Sequence, residues 1–144
     1  MRDDRLEAVR GALDAARESW AGDGETSLAV GMDYVPGEPV EVFARKRGRR
    51  WDFGDGGRAV RLAGKPPGWL AAAERLVAEE GMNVNRAGLV FVPAFERSCR
   101  DLAALALRLG DVSHAVHAEL LELDRGPASG RSGRPARRGS GARA

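Results

Sequence analysis

Cysteine is nearly absent from this sequence: Cys99 is the only one in 144 residues. A single thiol excludes an intrachain disulfide and a cysteine-rich zinc cluster, and it fits a reducing compartment. Long apolar runs are missing as well. No stretch approaches the ~20 residues that a membrane span requires. Asp3, Asp4, Arg5, Glu7, Arg10, Asp14, Arg17 and Glu18 break up the start of the chain, which excludes the apolar segment of a secretory signal. The expectation is a soluble cytoplasmic protein without a membrane partner. Lysine is scarce too, since Lys46 and Lys65 are the only lysines among 23 basic residues. With abundant Ala and Gly, that bias fits GC-rich bacterial coding and lowers the weight of arginine richness as a functional signal.

The last absence is local. From Arg125 onward, RGPASGRSGRPARRGSGARA contains no aliphatic residue larger than Ala or Pro and no aromatic one. Such a segment cannot bury enough apolar surface to offset its ordering entropy, so residues 125–144 are expected to form a disordered tail behind a single domain over 1–124. All 21 acidic residues lie at or before Asp124, whereas six arginines follow it, Arg137 and Arg138 among them. An acidic domain therefore carries a basic tail.

Apolar residues recur at helical spacing from Leu6 through Val9, Leu13 and Ala16 to Trp20, which predicts a first helix. Leu28, Val30 and Met32 alternate with smaller or polar residues and read as a strand ending at Pro36-Gly37. Val40, Val42 and Ala44 continue the alternation, and Trp51 and Phe53 share a face beyond Gly48. Residues 40–53 thus predict a hairpin with its tip near Arg47 to Arg49. Ala59 to Leu62 suggest one helical turn, and a second helix follows from about Trp69, burying Leu70, Ala73, Leu76 and Val77 and stopping at Gly81. Val84 and Leu89 to Val92 read as two short strands. Pro93 suits the first position of a third helix whose apolar stripe is Phe95, Cys99, Leu102, Ala106 and Leu109, with Gly110 kinking or ending it. The order αβββαββα predicts a two-layer α+β domain, a small antiparallel sheet of hairpins with helices on one face.

Several motifs invite chemistry. Asp52-Phe53-Gly54 resembles the magnesium-binding tripeptide of kinases, but the glycine-rich loop, strand lysine and catalytic loop that must accompany it are missing. Gly54, Gly56 and Ala59 meet a permissive dinucleotide fingerprint, yet Gly64 and Pro66-Pro67 cut short the helix that would face a pyrophosphate. The better reading is a turn in which Asp55, Gly56 and Gly57, with Gly64 further on, serve structure through positive φ. Asp52 and Asp55 could act as an acid/base pair, although no third group joins them at a recognisable spacing. Asp111, His114 and His117 form D-x-x-H-x-x-H, and all three are expected to face solvent, away from Val112, Val116 and Leu120, without a metal. Cys99 reads as a buried core thiol. Arg45, Lys46, Arg47, Arg49 and Arg50 at the hairpin tip are the most unusual feature, because a basic ribbon can grip phosphates and Trp51 beside it offers a stacking surface.

These elements resemble a bacterial and phage family catalogued as domain of unknown function 1828. The resemblance spans about residues 40–116 and lies in the strand pair, the turn Asp55-Gly56, the segment reaching Leu62 and Gly64, the helix ending in EEGMNV and the final helix LALRLGDVSHAV. Where that family has two acids before the glycine, Gly54 replaces the first. The resemblance implies the fold and a prokaryotic setting and carries no activity. The function expected from the sequence is a non-catalytic binding or accessory module for a protein partner, with no cofactor. A nucleic-acid-associated protein using the basic hairpin and the tail, in weak nonspecific contact, is the alternative. A hydrolase built on Asp52 and Asp55, or on Asp111, His114 and His117, comes third.

Overall fold

The computed structural model describes residues 4–126. The expected tail, with Arg137 and Arg138, lies almost wholly outside the described residues. Along the chain run α1 (Asp4–Glu18), β1 (Gly24–Asp33), β2 (Pro39–Arg47), β3 (Arg50–Gly54), α2 (Arg58–Ala63), α3 (Trp69–Ala78), β4 (Asn83–Val84), β5 (Val90–Phe95) and α4 (Cys99–Arg125). All strand pairs are antiparallel, in the order β1-β2-β3-β5-β4. This is the expected α+β architecture, with a separate six-residue helix after the glycine turn.

Period-two alternation decides which face each strand buries. Leu28 and Val30 of β1, Val40, Val42 and Ala44 of β2, Trp51 and Phe53 of β3, and Val90 and Ala94 of β5 are buried together. The helices cover this face. Val9 and Leu13 come from α1, Ala72, Ala73 and Val77 from α3, and Leu102, Ala106, Leu109, Val116 and Leu120 from α4. α4 touches the other three helices and four of the five strands, so it is the spine of the domain. Trp51 and Phe53 stack with centroids 5.8 Å apart, and Trp20 tilts against Trp51 at 5.9 Å.

Local rules explain the boundaries. Gly48 turns the hairpin at φ 61°. Past α3, Gly81 donates to Ala78 and Met82 to Val77, both at 3.0 Å, the paired bonds of a Schellman stop that require the positive φ of Gly81. Ser98 caps α4 by accepting from Asp101 N–H at 3.1 Å.

Pro93 and Gly110 depart from expectation. Pro93 lies in β5 opposite Asp52, and the last helix begins six residues later. Val90 C=O accepts from Asp55 and Glu96 N–H donates to Arg49, so the even residues of β5 point their backbone groups at β3. The missing N–H of Pro93 therefore belongs to the outer edge, past the end of β4, where no ladder bond is lost. Gly110 does not end α4, which continues to Arg125. It is buried where the helix crosses β1, and a Cβ there would stand 2.8 Å from Val30 Cγ2.

Candidate functional site

Among the described residues, the other face of the sheet bears no helix. Residues paired across strands share a face, so the register arranges the outward side chains in rows. Ser27, Phe43, Gly54, Phe91 and Asn83 form one row. Glu25, Arg45, Asp52 and Pro93 form the next, and Arg47, Arg50 and Phe95 the third. Three of the four phenylalanines of an aromatic-poor chain thus point away from the core. Phe43 is 42% exposed and Phe95 73%, and Phe91 is half-buried. Gly54 lies between Phe43 and Phe91 in its row, and a Cβ there would stand 3.3 Å from Leu89 Cδ1. It belongs to an open depression of about 460 Å³ that Leu89, Arg45 and Asp52 help to line.

The basic cluster is split by the same alternation. Arg45, Arg47 and Arg50 project from the uncovered face, while Lys46 turns toward the other side and donates to Gly48 C=O at 2.8 Å. Arg50 pairs with Asp52 at 3.2 Å. Arg45, Arg47 and Arg49 have no ion-pair partner among the described residues. Trp51 is not the stacking surface expected beside them. It is fully buried, donates from Nε1 to Glu96 Oε1 at 2.8 Å and carries the Arg17 guanidinium 5.4 Å from its ring. Burial raises the Glu96 carboxyl, but donation from Trp51 and from Arg17, whose Nη2 lies 2.8 Å away, outweighs it and leaves the group below its ordinary value.

The proposed acid pair does not form. Asp52 lies on the outer face with Arg50, whereas Asp55 is fully buried in the turn between β3 and α2. Asp55 Oδ1 accepts from Gly57 N–H at 2.8 Å and Val90 N–H at 3.1 Å, and Oδ2 accepts from Ser113 Oγ at 2.7 Å. Tyr34 Oη lies 2.7 Å from the same hydroxyl, continuing the chain to β1. Burial pushes Asp55 above the usual carboxylate range despite these donors, and it pushes Tyr34 up to about 12. Asp55 thus ties the turn, β5 and α4 together, with Gly56 and Gly57 at φ 69° and 77° beside it and Gly64 at 88°.

The histidine motif also separates. His117 is 4% exposed and packs on Tyr34 with centroids 5.5 Å apart, so the expectation that it faces solvent is overturned. Helices on both flanks of α4 bury a wider arc than one apolar stripe implies, and the arc includes Ser113, Val116 and His117. Burial, then His114, lowers the His117 pKa. Asp111 is exposed and accepts from Arg5 at 3.1 Å. Among the described residues, no group of three or more His, Cys, Asp or Glu could hold a metal ion. Cys99 is only half-buried, at the first turn of α4, where Arg17 donates to Sγ at 3.4 Å; burial and then Asp14 push its pKa up, away from the thiolate a nucleophile needs. The unbroken helix keeps it about 22 Å from His114.

Sequence reasoning missed the aromatic face. Phe43 was legible, because it stands out of phase with Val40, Val42 and Ala44. Phe95 was hidden by the helix assigned to Pro93. Comparison with protein-family models, with curated proteins and with solved structures finds no match for this chain.

Proposed function

We propose that this domain is a non-catalytic binding module that docks another protein on the uncovered face of its sheet. One observation carries the reading: Phe43 and Phe91 line an open depression on that face with Arg45, Glu25 and Asp52 around it, and Phe95 projects from the same face two rows away beside Arg50. A soluble chain gains nothing from exposing aromatic side chains together unless something covers them, and an aromatic centre with a charged rim is the anatomy of a protein interface. The titratable groups, by contrast, are dispersed: Asp55 is consumed by the turn, Asp52 by Arg50 and His117 by the core. Kinship of residues 40–116 with domain of unknown function 1828 belongs to the same proposal, supported by the sequence of hairpin, aspartate-glycine turn, helix, small hairpin and long helix.

Nucleic acid is the second reading. Arg45, Arg47 and Arg49 are free of ion pairs among the described residues, and bases stack on phenylalanines of open sheets. Pull-down from a lysate of the source cells, with and without nuclease, separates the two when wild type is compared with Phe43→Ser/Phe95→Ser. Captured proteins that survive nuclease and vanish in the double variant support the docking face. Capture that nuclease abolishes favours nucleic acid, and capture indifferent to the double variant rules this face out.

A further inference from the structure

We infer that two copies of this chain pair through the outer edge of β1, antiparallel and centred on Ser27, into one continuous sheet. That edge is separate from the docking face proposed above, and neither reading depends on the other. Backbone direction follows strand by strand. Even residues of β5 address β3, so Trp51 and Phe53, opposite Ala94 and Val92, direct their backbone groups at β5. Arg50, Asp52 and Gly54 then address β2, where they meet Arg47, Arg45 and Phe43. Val42, Ala44 and Lys46 are left to bond with Leu28, Thr26 and Gly24 of β1. Tyr34 N–H, which donates to Glu38 C=O at 2.8 Å, keeps the same parity. The N–H and C=O groups of Glu25, Ser27 and Ala29 therefore point away from the sheet, where no further strand lies among the described residues. All three residues are exposed.

The two edges of the sheet differ. At the far edge β4 has two residues and Pro93 offers no N–H beyond it, which protects against strand pairing. β1 has ten residues, and its free stretch ETSLA, residues 25–29, contains no lysine, arginine or proline. Arg5 Nε closes one end by donating to Val30 C=O at 2.7 Å, where β1 bulges. Thr26 Oγ1 reaches Ser27 C=O only at 3.5 Å, too far to satisfy it. Charge selects the register. Pairing about Ser27 sets Ser27 opposite Ser27 and Glu25 opposite Ala29, so every outward N–H and C=O of the three residues gains a partner. Moving the centre two residues one way sets Glu25 against Glu25, and the other way sets it against Asp33. Helix α1 selects a second copy over a lone strand. It packs on α4 and β1, with Glu7 3.7 Å from Arg100 of α4. Exposed Ala8, Ala12 and Ala15 lie on the opposite flank of the helical wheel, so two α1 helices can meet there without bulky side chains between them. A partner supplying only a strand would leave that flank uncovered.

The test is light scattering after size exclusion on the full-length protein across a dilution series. Wild type should reach twice the mass of one chain. Ser27→Pro removes an outward N–H, a change an edge strand tolerates, and should run as a monomer with an unchanged circular dichroism spectrum. Ser27→Lys sets like charges opposite each other and should weaken association about tenfold or more. Should Ser27→Pro fail to fold, Ser27→Lys decides alone, because Ser27 is exposed. Ala29→Lys, by contrast, would face Glu25 of the other copy and should keep the dimer, whereas Ala29→Glu should dissociate it. Cross-linking reads the register directly. In a Cys99→Ala background, Ser27→Cys should form a disulfide-linked dimer on mild oxidation. Glu25→Cys should not, since the two copies of residue 25 lie about 14 Å apart along the strands, beyond the ~7 Å limit of a disulfide. A wild type that stays monomeric throughout would overturn the inference. So would a dimer that survives both Ser27 variants, or one that Phe43→Ser dissociates, which would move the contact to the aromatic face. Cross-linking through Glu25→Cys and not through Ser27→Cys would overturn the pairing about Ser27.

Discussion

Asp55 accepts from two backbone N–H groups and from Ser113. Asp55→Ala leaves those donors buried and unmatched, and chemical denaturation should register a loss of about 3 kcal/mol or more. Asp55→Asn keeps the acceptor that serves Gly57 and Val90 and can donate to Ser113, so it should cost far less. The folded pKa of Asp55 is raised above its ordinary value of 3.8, so its stabilising contribution is whole below that pH and is lost as pH rises through the folded value. Thermal melts from acid to neutral pH should therefore show the wild type losing ground to Asp55→Asn. Tyr34 offers a direct reading, because it is the only tyrosine of the chain. Absorbance of the phenolate should appear near pH 12 in the folded protein and near 10 in denaturant. The sign matches: the stability tied to the neutral phenol is whole below pH 10 and vanishes as pH rises through about 12. Phenolate appearing near 10 without denaturant would contradict the burial of Tyr34.

Among the elements, α4 and β1 are held together by an absent side chain. A Cβ at Gly110 would meet Val30 Cγ2 at 2.8 Å, and forcing the helix off the sheet should cost about 1–3 kcal/mol. Ala also favours helix over Gly by about 1 kcal/mol, so Gly110→Ala should show only a small net loss by itself. Combined with Val30→Ala, which removes the clashing methyl groups, it should destabilise less than the sum of the single variants. A double-mutant cycle in urea measures that coupling, and strict additivity would mean that no close contact exists. The turn before α2 is constrained more sharply. Gly56 has positive φ and its Cβ would meet Phe43 Cε2 at 2.7 Å, so Gly56→Val should cost about 1 kcal/mol or more. An unchanged melting temperature would refute this.

For the whole molecule, the division of charge is the dominant property. The described domain is net acidic, and five arginines follow Gly126 in a chain of formal charge +2. A chain ending at Gly126 keeps every core residue named above and should unfold with nearly the same midpoint as the full length. Its affinity for duplex DNA should all but disappear. Any binding by the full-length protein should be sequence-blind, with a log–log salt slope no steeper than about −5. Affinity that survives truncation and falls in Arg47→Ala/Arg49→Ala would instead place a nucleic-acid site on the hairpin.

The sequence by itself determined the strands, the hairpin tip and the glycine turn. Alternation in 28–32 and 40–53 and positive-φ glycines are local signals that no distant contact overrides. It also contained the clue to Phe43, out of phase with its buried neighbours. Only the tertiary structure decided Pro93, His117, Trp51 and Gly110. Pro93 suits a helix start as well as an outer strand edge, and the choice depends on β4 being too short to pair opposite it. His117 faces solvent on an isolated helix and is buried because neighbours pack on both flanks of α4. Trp51 and the hairpin arginines are adjacent in sequence, but successive strand residues point to opposite faces, so the indole went to the core while Arg50 stayed outside. The outward aromatic row arises in the same way: Phe43, Gly54 and Phe91 are distant in the chain and become one row only through the register of three strands.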